Sequence, residues 1–363
     1  MNIKSLLLGS AAALAAVSGA QAADAIVAAE PEPMEYVRVC DAFGTGYFYI
    51  PGTETCLKIG GYVRFQTNFG RDQVQKGAFA GNGSSSWDTF TRGQLQFDAK
   101  NDTELGTLES TIVLQTNADA AGNSDSTFLD TASFAIAGFK FGYYYSWWDD
   151  GIAGETDALA TNTLFNSISY TYDGGAFKAG ISVDELEGIG RGGAFAPTQL
   201  PNDFGRKDNG VGVAAMLSGS VGGVTATLLG AYDTEREEGA IRAILSAELG
   251  AGTFNLAGVW ASDPNAYYNE SEWTVAASYE FKATDKLTIT PAAQYFGDYA
   301  FINGVDAWRV GLTAGYQITD GLKALATVQY QDIDSGSYSR AGTTTNFNGN
   351  DSTSGFLRLQ RDF

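Results

Sequence analysis

The chain has 363 residues, enough for two ordinary soluble domains or one large barrel, and it carries 45 Gly against only 7 Pro. Its 42 acidic and 22 basic side chains give a formal charge of −20, which argues against nucleic acid as a partner, because that binding relies on Lys and Arg neutralising phosphate. There is no His, so Ser–His and Cys–His nucleophile systems are excluded, and two Cys alone cannot complete a tetrahedral metal site.

Residues 1–22 read as a secretory signal peptide. Lys4 supplies the positive start, Leu6 to Val17 a short apolar run, and Ala20-Gln21-Ala22 an A-x-A cleavage site, so the mature chain is expected to begin at Ala23. The apolar run is too short for a membrane helix, which needs about 20 such residues. Residues 23–57 read as a flexible lead followed by a small segment on the periplasmic side, with two strand-like runs, YVRV and YFYI, and a turn at Pro51-Gly52. Cys40 and Cys56 fall here. In an oxidising compartment they can pair and close a short loop, at a gain of about 2–4 kcal/mol. The alternative is two thiols that never meet.

From Lys58 to Phe363 the pattern is regular. Leu57, Ile59, Val63, Phe65 and Phe69 alternate with Lys58, Tyr62, Arg64, Gln66 and Asn68. Strict alternation means a strand with one wet and one apolar face. Leu95, Phe97 and Ala99 repeat it against Arg92, Gln94, Gln96, Asp98 and Lys100, and Leu108, Ile112 and Leu114 against Glu109, Thr111 and Gln115. The same dyad recurs near Phe139, Phe177, Ile241, Trp273 and Trp308, with weaker copies between them and to the end of the chain. About sixteen segments of the ~10-residue length of a tilted membrane strand result. Aromatic residues such as Tyr145, Tyr172, Trp273, Tyr295, Trp308 and Tyr330 fall near strand ends, where amphipathic rings suit a membrane–water boundary. Pro291 is the awkward residue, inside a strand pattern where it cannot donate to the ladder, so a bulge or a later strand start is expected there.

Connections alternate between short turns, such as Gly222-Gly223 and Asp320-Gly321, and longer loops, such as Gly70–Asp88, Trp148–Thr163, Asp263–Glu270 and Asp332–Thr353. Short turns on one side and long loops on the other suit an outer-membrane barrel with both termini in the periplasm. A closed sheet also pairs every backbone group, which hydrocarbon demands. The fold expected is an all-β transmembrane antiparallel barrel.

One loop stands out. After the aromatic strand that ends at Trp147 and Trp148 come four carboxylates, Asp149, Asp150, Glu155 and Asp157, spaced by Gly151 and Gly154. The loop 148–163 is expected to fold into the lumen and narrow it. On the wet parity of the strands lie Lys58, Arg64, Arg92, Lys140, Arg242, Arg309 and Arg358. Basic side chains facing an acidic loop would set a transverse field that sorts solutes by charge and size, with a mild bias toward cations. The plainer reading is that each is an ordinary polar group filling the lumen. Acid/base catalysis needs two carboxylates in distinct environments, and four acids on a glycine-bearing loop read more simply as an electrostatic feature. No nucleotide or cofactor motif stands in a strand–helix context.

The opening MNIKSLLLGSAAALAA, the block EYVRVCDAFGTGYFYIPGTETCL at Glu35–Leu57, the run NDTELGTLES and the ending RLQRDF resemble the porins of alphaproteobacteria such as Brucella. The resemblance implies a 16-stranded barrel, trimeric, set among outer-membrane lipid and lipopolysaccharide. It implies a water-filled channel for passive diffusion of small hydrophilic solutes and ions, with the third outer loop bent inward. It also implies that Phe363 is the final aromatic read by the barrel-assembly machinery. Two other readings stand beside it: a closed barrel whose long loops bind a host or ligand, and a substrate-specific, sugar-type channel.

Overall fold

Alternating sequence becomes alternating structure. The computed structural model describes residues 38–70, 87–118, 126–187, 210–340, 343–347 and 349–363; the expected signal peptide, 1–22, and the expected flexible lead after it lie outside them. The strands are β1 (Phe48–Tyr49), β2 (Cys56–Phe69), β3 (Trp87–Thr103), β4 (Gly106–Ala118), β5 (Ser126–Ile136), β6 (Phe139–Tyr145), β7 (Leu164–Asp173), β8 (Phe177–Glu185), β9 (Val211–Val221) and β10 (Val224–Asp233). They continue as β11 (Glu238–Leu249), β12 (Gly252–Ala261), β13 (Ser271–Lys282), β14 (Leu287–Tyr299), β15 (Ala307–Thr319), β16 (Leu322–Ile333), β17 (Gly336–Arg340), β18 (Thr343–Phe347) and β19 (Asn350–Asp362).

Each strand from β2 to β16 pairs antiparallel with the next, β16 pairs with β19, and β19 returns to β2 through Leu359↔Phe65 and its neighbours. These sixteen strands close a barrel, and β1 adds a short edge to the start of β2 through Phe48↔Leu57. Closure leaves the barrel no open edge. Where the two ends of the closed sheet meet, Phe363 N donates to Gly61 O (3.0 Å) and Gly61 N donates to Phe363 O (3.1 Å).

The outer face is apolar and exposed: Ile59, Val63 and Phe65 on β2, Ile181 and Val183 on β8, Trp308, Val310 and Leu312 on β15. A belt of exposed large apolar side chains around the whole sheet has a physical explanation in a lipid surround and none in water. Aromatic rings meet across strands near their ends, Trp273 with Tyr295 at 5.5 Å and Trp308 with Tyr330 at 5.4 Å between centroids. The opposite parity is polar on β2–β4 and β14–β16. On β9, β10 and β12 it includes small or apolar buried residues, Ala214, Met216, Leu229, Ala257 and Val259, beside the buried Arg242 of β11 and Asn255 of β12. The small and apolar residues form one core with Trp148, Leu159, Phe165 and Tyr267, so two connecting loops cover this part of the inner wall.

Several elements depart from the sequence reading. β3 begins at Trp87 and β19 at Asn350, earlier than the alternation suggests, and β17 and β18 form a hairpin within the connection read as one loop from Asp332. The ladder goes on as Ile333↔Asn350 and Asp332↔Asp351; beyond the hydrocarbon neither face needs to be apolar, so no alternation marks it. Pro291 stays inside β14, paired in register with Leu312 of β15. On its other side the register with β13 is the same above and below, Ser278↔Ala292 and Phe281↔Ile289, and only the pairs between them are missing. The strand takes neither the expected bulge nor a later start, and Pro291 is accommodated by giving up ladder bonds to β13 at that point.

Candidate functional site

The loop between β6 and β7 starts with a local device. Ser146 ends the strand and its Oγ accepts from Trp148 N (3.3 Å), capping a single 3-10 turn, Trp147–Asp149. Ser146 N donates to Thr163 O (2.7 Å), which draws the neck of the loop together.

Arg242 of β11 then fixes the turn. Its Nη1 donates to Trp148 O (2.8 Å), its Nη2 to Trp147 O (2.8 Å), and its guanidinium carbon lies 5.0 Å from the Trp148 ring centre. Both side chains are about 1% exposed. Farther along, the loop bonds to β14 and β15. Ala158 N donates to Gln294 Oε1 (2.7 Å) and Gln294 Nε2 donates back to Ala158 O (2.9 Å). Glu155 N donates to Thr313 Oγ1 (3.2 Å), and Arg309 Nη1 donates to Thr156 O (3.0 Å). Two strand glycines admit the loop: a Cβ on Gly180 would lie 2.6 Å from the Trp147 ring, and one on Gly311 would lie 2.2 Å from Thr156 Oγ1.

The four carboxylates do different things. Asp149, Asp150 and Glu155 are exposed. Asp157 is partly buried and folds the loop on itself, its Oδ2 accepting from Ile152 N (3.4 Å). Burial pushes the Asp157 carboxyl above its ordinary value, opposed by the backbone donors of Ile152 and Asp157 and by Arg242 and Arg309. Asp150 is also raised, by loss of surrounding water first, with Arg242 opposing and Asp149 adding.

Three of the basic residues gather. Arg64 stands opposite Arg92 in register, and Arg358 stands opposite Gln66, two positions along β2 from Arg64. Each has its Nε fixed by an amide: Arg64 to Gln360 (2.8 Å), Arg92 to Asn117 (2.7 Å), Arg358 to Gln66 (2.6 Å). Arg358 Nη1 lies 3.6 Å from Glu155 Oε1, the contact that joins this group to the acidic loop. Arg309 and Arg242 serve the loop backbone instead. The remaining two are elsewhere: Lys58 Nζ lies 5.9 Å from the Tyr47 ring and Lys140 Nζ 4.1 Å from the Tyr144 ring.

Cys40 and Cys56 are bonded, with Cα atoms 5.9 Å apart and Tyr47 packed beside them.

A second loop, the connection between β12 and β13, read from sequence only as one of the longer loops, Asp263–Glu270, packs inward in a way the sequence reading did not foresee. Asn265, Ala266, Tyr267, Tyr268 and Asn269 are all buried. Asn265 Oδ1 accepts from the backbone N of Tyr267 and Tyr268, a tight local turn. Its bonds to the first loop run through Thr161 and Asn162: Thr161 N donates to Tyr267 O (2.9 Å), Thr161 Oγ1 to Asn269 Oδ1 (2.7 Å) and Asn162 Nδ2 to Ala266 O (2.7 Å). Two adjacent tyrosines in a short loop were the available signal, together with Gly212 on the inner parity of β9.

The chain is 56% identical to a putative outer membrane protein, y4fJ, of Sinorhizobium fredii, over 100% of this chain and 99% of that one. It is 34% identical to the porin Omp2b of Brucella suis over the whole of both. In fold it is similar to the outer membrane channel DcaP of Acinetobacter baumannii, at a TM-score of 0.62 and 14% identity, covering 87% of this chain and 99% of that one. The family model described as Porin subfamily matches residues 24–356, and the chain belongs to that family.

Proposed function

We propose that this porin is a general-diffusion channel: a water-filled barrel through which small hydrophilic solutes and ions pass passively, narrowed by loop 148–163 and mildly selective for cations. The observation that carries the reading is the approach of Glu155 to Arg358. A loop that bonds to β11, β14 and β15 and also brings a carboxylate to an arginine of β19 supports a course across the barrel interior. In this reading Glu155 meets the Arg64, Arg92 and Arg358 group through Arg358, exposed Asp149 and Asp150 stand nearer Arg242, and the passage runs past both groups. Opposed charges across a narrow path act on permeating ions more strongly than they would in bulk water. The chain's charge of −20 favours cations at the mouths.

In this reading the chain is exported with cleavage after Ala22, inserts through the barrel-assembly machinery by way of Phe363, and sits as a trimer among outer-membrane lipid and lipopolysaccharide. Its relatives' names support the outer-membrane setting.

Liposome swelling with neutral sugars of graded size tests the diffusion reading. Rates should fall smoothly with solute size, with no saturation. Saturation by one sugar would favour a substrate-specific channel, and no swelling with any of them would favour a closed, ligand-binding barrel.

A further inference from the structure

Tyr267 reaches away from its own loop to a different part of the wall. Its Oη donates to Asp184 Oδ2 of β8 (2.6 Å), and its ring lies 5.7 Å from Trp148 and 5.4 Å from Phe165 between centroids. Asp184 is buried, about 1% exposed, and also accepts from Ser167 Oγ (2.6 Å) and Ser182 Oγ (3.2 Å). A buried carboxylate with three donors is a fixed point, because each donor lost leaves charge without a partner. Gly212 of β9 completes the seat, since a Cβ there would lie 2.0 Å from Tyr267 Oη and 2.8 Å from its Cζ. Ala266 N adds a bond to Asp233 Oδ2 of β10 (3.2 Å).

The loop is thus tied to β8 and β10 while its backbone and Asn269 hold Thr161 and Asn162. It lies against the returning half of the acidic loop. Arg242 grips that loop's first turn and also reaches Leu159 O through Nη1 (3.4 Å), and Gln294 holds Ala158. The second loop takes over at Thr161 and Asn162, the stretch that leads back to β7.

We infer that Tyr267 is a positioning residue of the channel: through Asp184 and Gly212 it sets the second loop, which holds loop 148–163 in place and so determines the width of the path and the reach of its acids. The inference rests on the proposed narrowing by loop 148–163. It adds that two loops, not one, build the constriction.

The test uses the full mature chain in planar bilayers, with four variants. Gly212→Ala removes the seat of Tyr267. Tyr267→Ala removes the side chain without a clash and keeps the test alive if the first variant folds poorly. Tyr267→Phe keeps the ring and loses only the donor. The fourth, Asp149→Asn with Asp150→Asn and Glu155→Gln, is measured in the natural and the Gly212→Ala or Tyr267→Ala backgrounds.

Gly212→Ala and Tyr267→Ala should each raise single-channel conductance by about 1.5-fold or more, as a pore's narrowest section governs it. Tyr267→Phe should fall between them and the natural chain. Neutralising the acids should shift the reversal potential less in either altered background than in the natural one. A merely structural tyrosine would lower the yield of folded barrel and leave the conductance of inserted molecules unchanged, and that result overturns the inference. If neutralisation leaves the reversal potential of the natural chain unmoved, the selectivity reading fails, and the conductance of the two variants still decides the role of Tyr267.

Discussion

Arg242 lies against Trp148, its guanidinium carbon 5.0 Å from the ring, and donates to the carbonyls of both Trp147 and Trp148. A residue read from sequence as a pore-wall cation is therefore enclosed by the loop it was expected to face. Arg242→Ala strips the first turn of its donors. Bonds to a charged donor are worth about 1.5–3 kcal/mol each, enough to release the turn. The expected result is a larger, noisier conductance and new protease cuts within 149–157. Arg242→Lys should rescue little, because one ammonium cannot reproduce a planar fork that also stacks.

Glu155 and Arg358 give a pair of opposite expectations. Asp149→Asn with Asp150→Asn and Glu155→Gln should move the reversal potential in a salt gradient toward anion preference. Arg64→Gln with Arg92→Gln and Arg358→Gln should move it toward stronger cation preference. Shifts in the same direction from both sets would mean that the two groups do not face one path.

Acidification should weaken the cation preference earlier than ordinary aspartates would. Asp150 and Asp157 are held above the usual aspartate value of 3.8, chiefly by loss of water. A carboxyl so raised is neutralised first as the pH falls, so selectivity declines in a window that begins above 3.8. Reversal potentials across a pH series check this. Asp150→Asn should remove the early decline, and a curve unchanged by it would refute the assignment.

The disulfide ties the segment before the barrel to the first residue of β2. Cys40 and Cys56 are 16 residues apart, a loop closure worth about 3 kcal/mol. Closure of the barrel depends instead on β19 against β2. Cys40→Ser with Cys56→Ser, or reduction, should expose 41–55 to protease while the barrel keeps its resistance to heat in detergent. Loss of that resistance would show the segment to be integral to closure.

Most of the barrel was legible because each strand face meets one solvent. Val63 and Phe65 must be apolar toward lipid, and Arg64 and Gln66 can be polar toward water, so period two is written into the chain. The signal fails where that contrast fails. At Asn350–Ser354 both faces are polar, and β19 began unseen. On β9–β12 the inner face mixes apolar residues with the buried Arg242 because loops cover it, and nothing in the strand itself names the loop that does so. The acids at 149–157 were visible as a cluster, but their division of labour was not. Asp157 works inside the loop because of where Ile152 falls in three dimensions. Likewise Arg242 and Arg358 share a parity, and only the stagger of the strands makes one a clamp and the other a partner of Glu155. Tyr267 looked like any loop aromatic until Gly212 and Asp184 were seen beneath it.

The central claim is an open aqueous channel, and single-channel recording of the purified mature protein in a planar bilayer with a salt gradient tests it most directly. The account predicts steady, ohmic steps with a small reversal potential of the sign that marks cation preference. No conductance from protein shown to be folded and inserted would contradict it, and the barrel would then be a plugged one that binds and does not conduct.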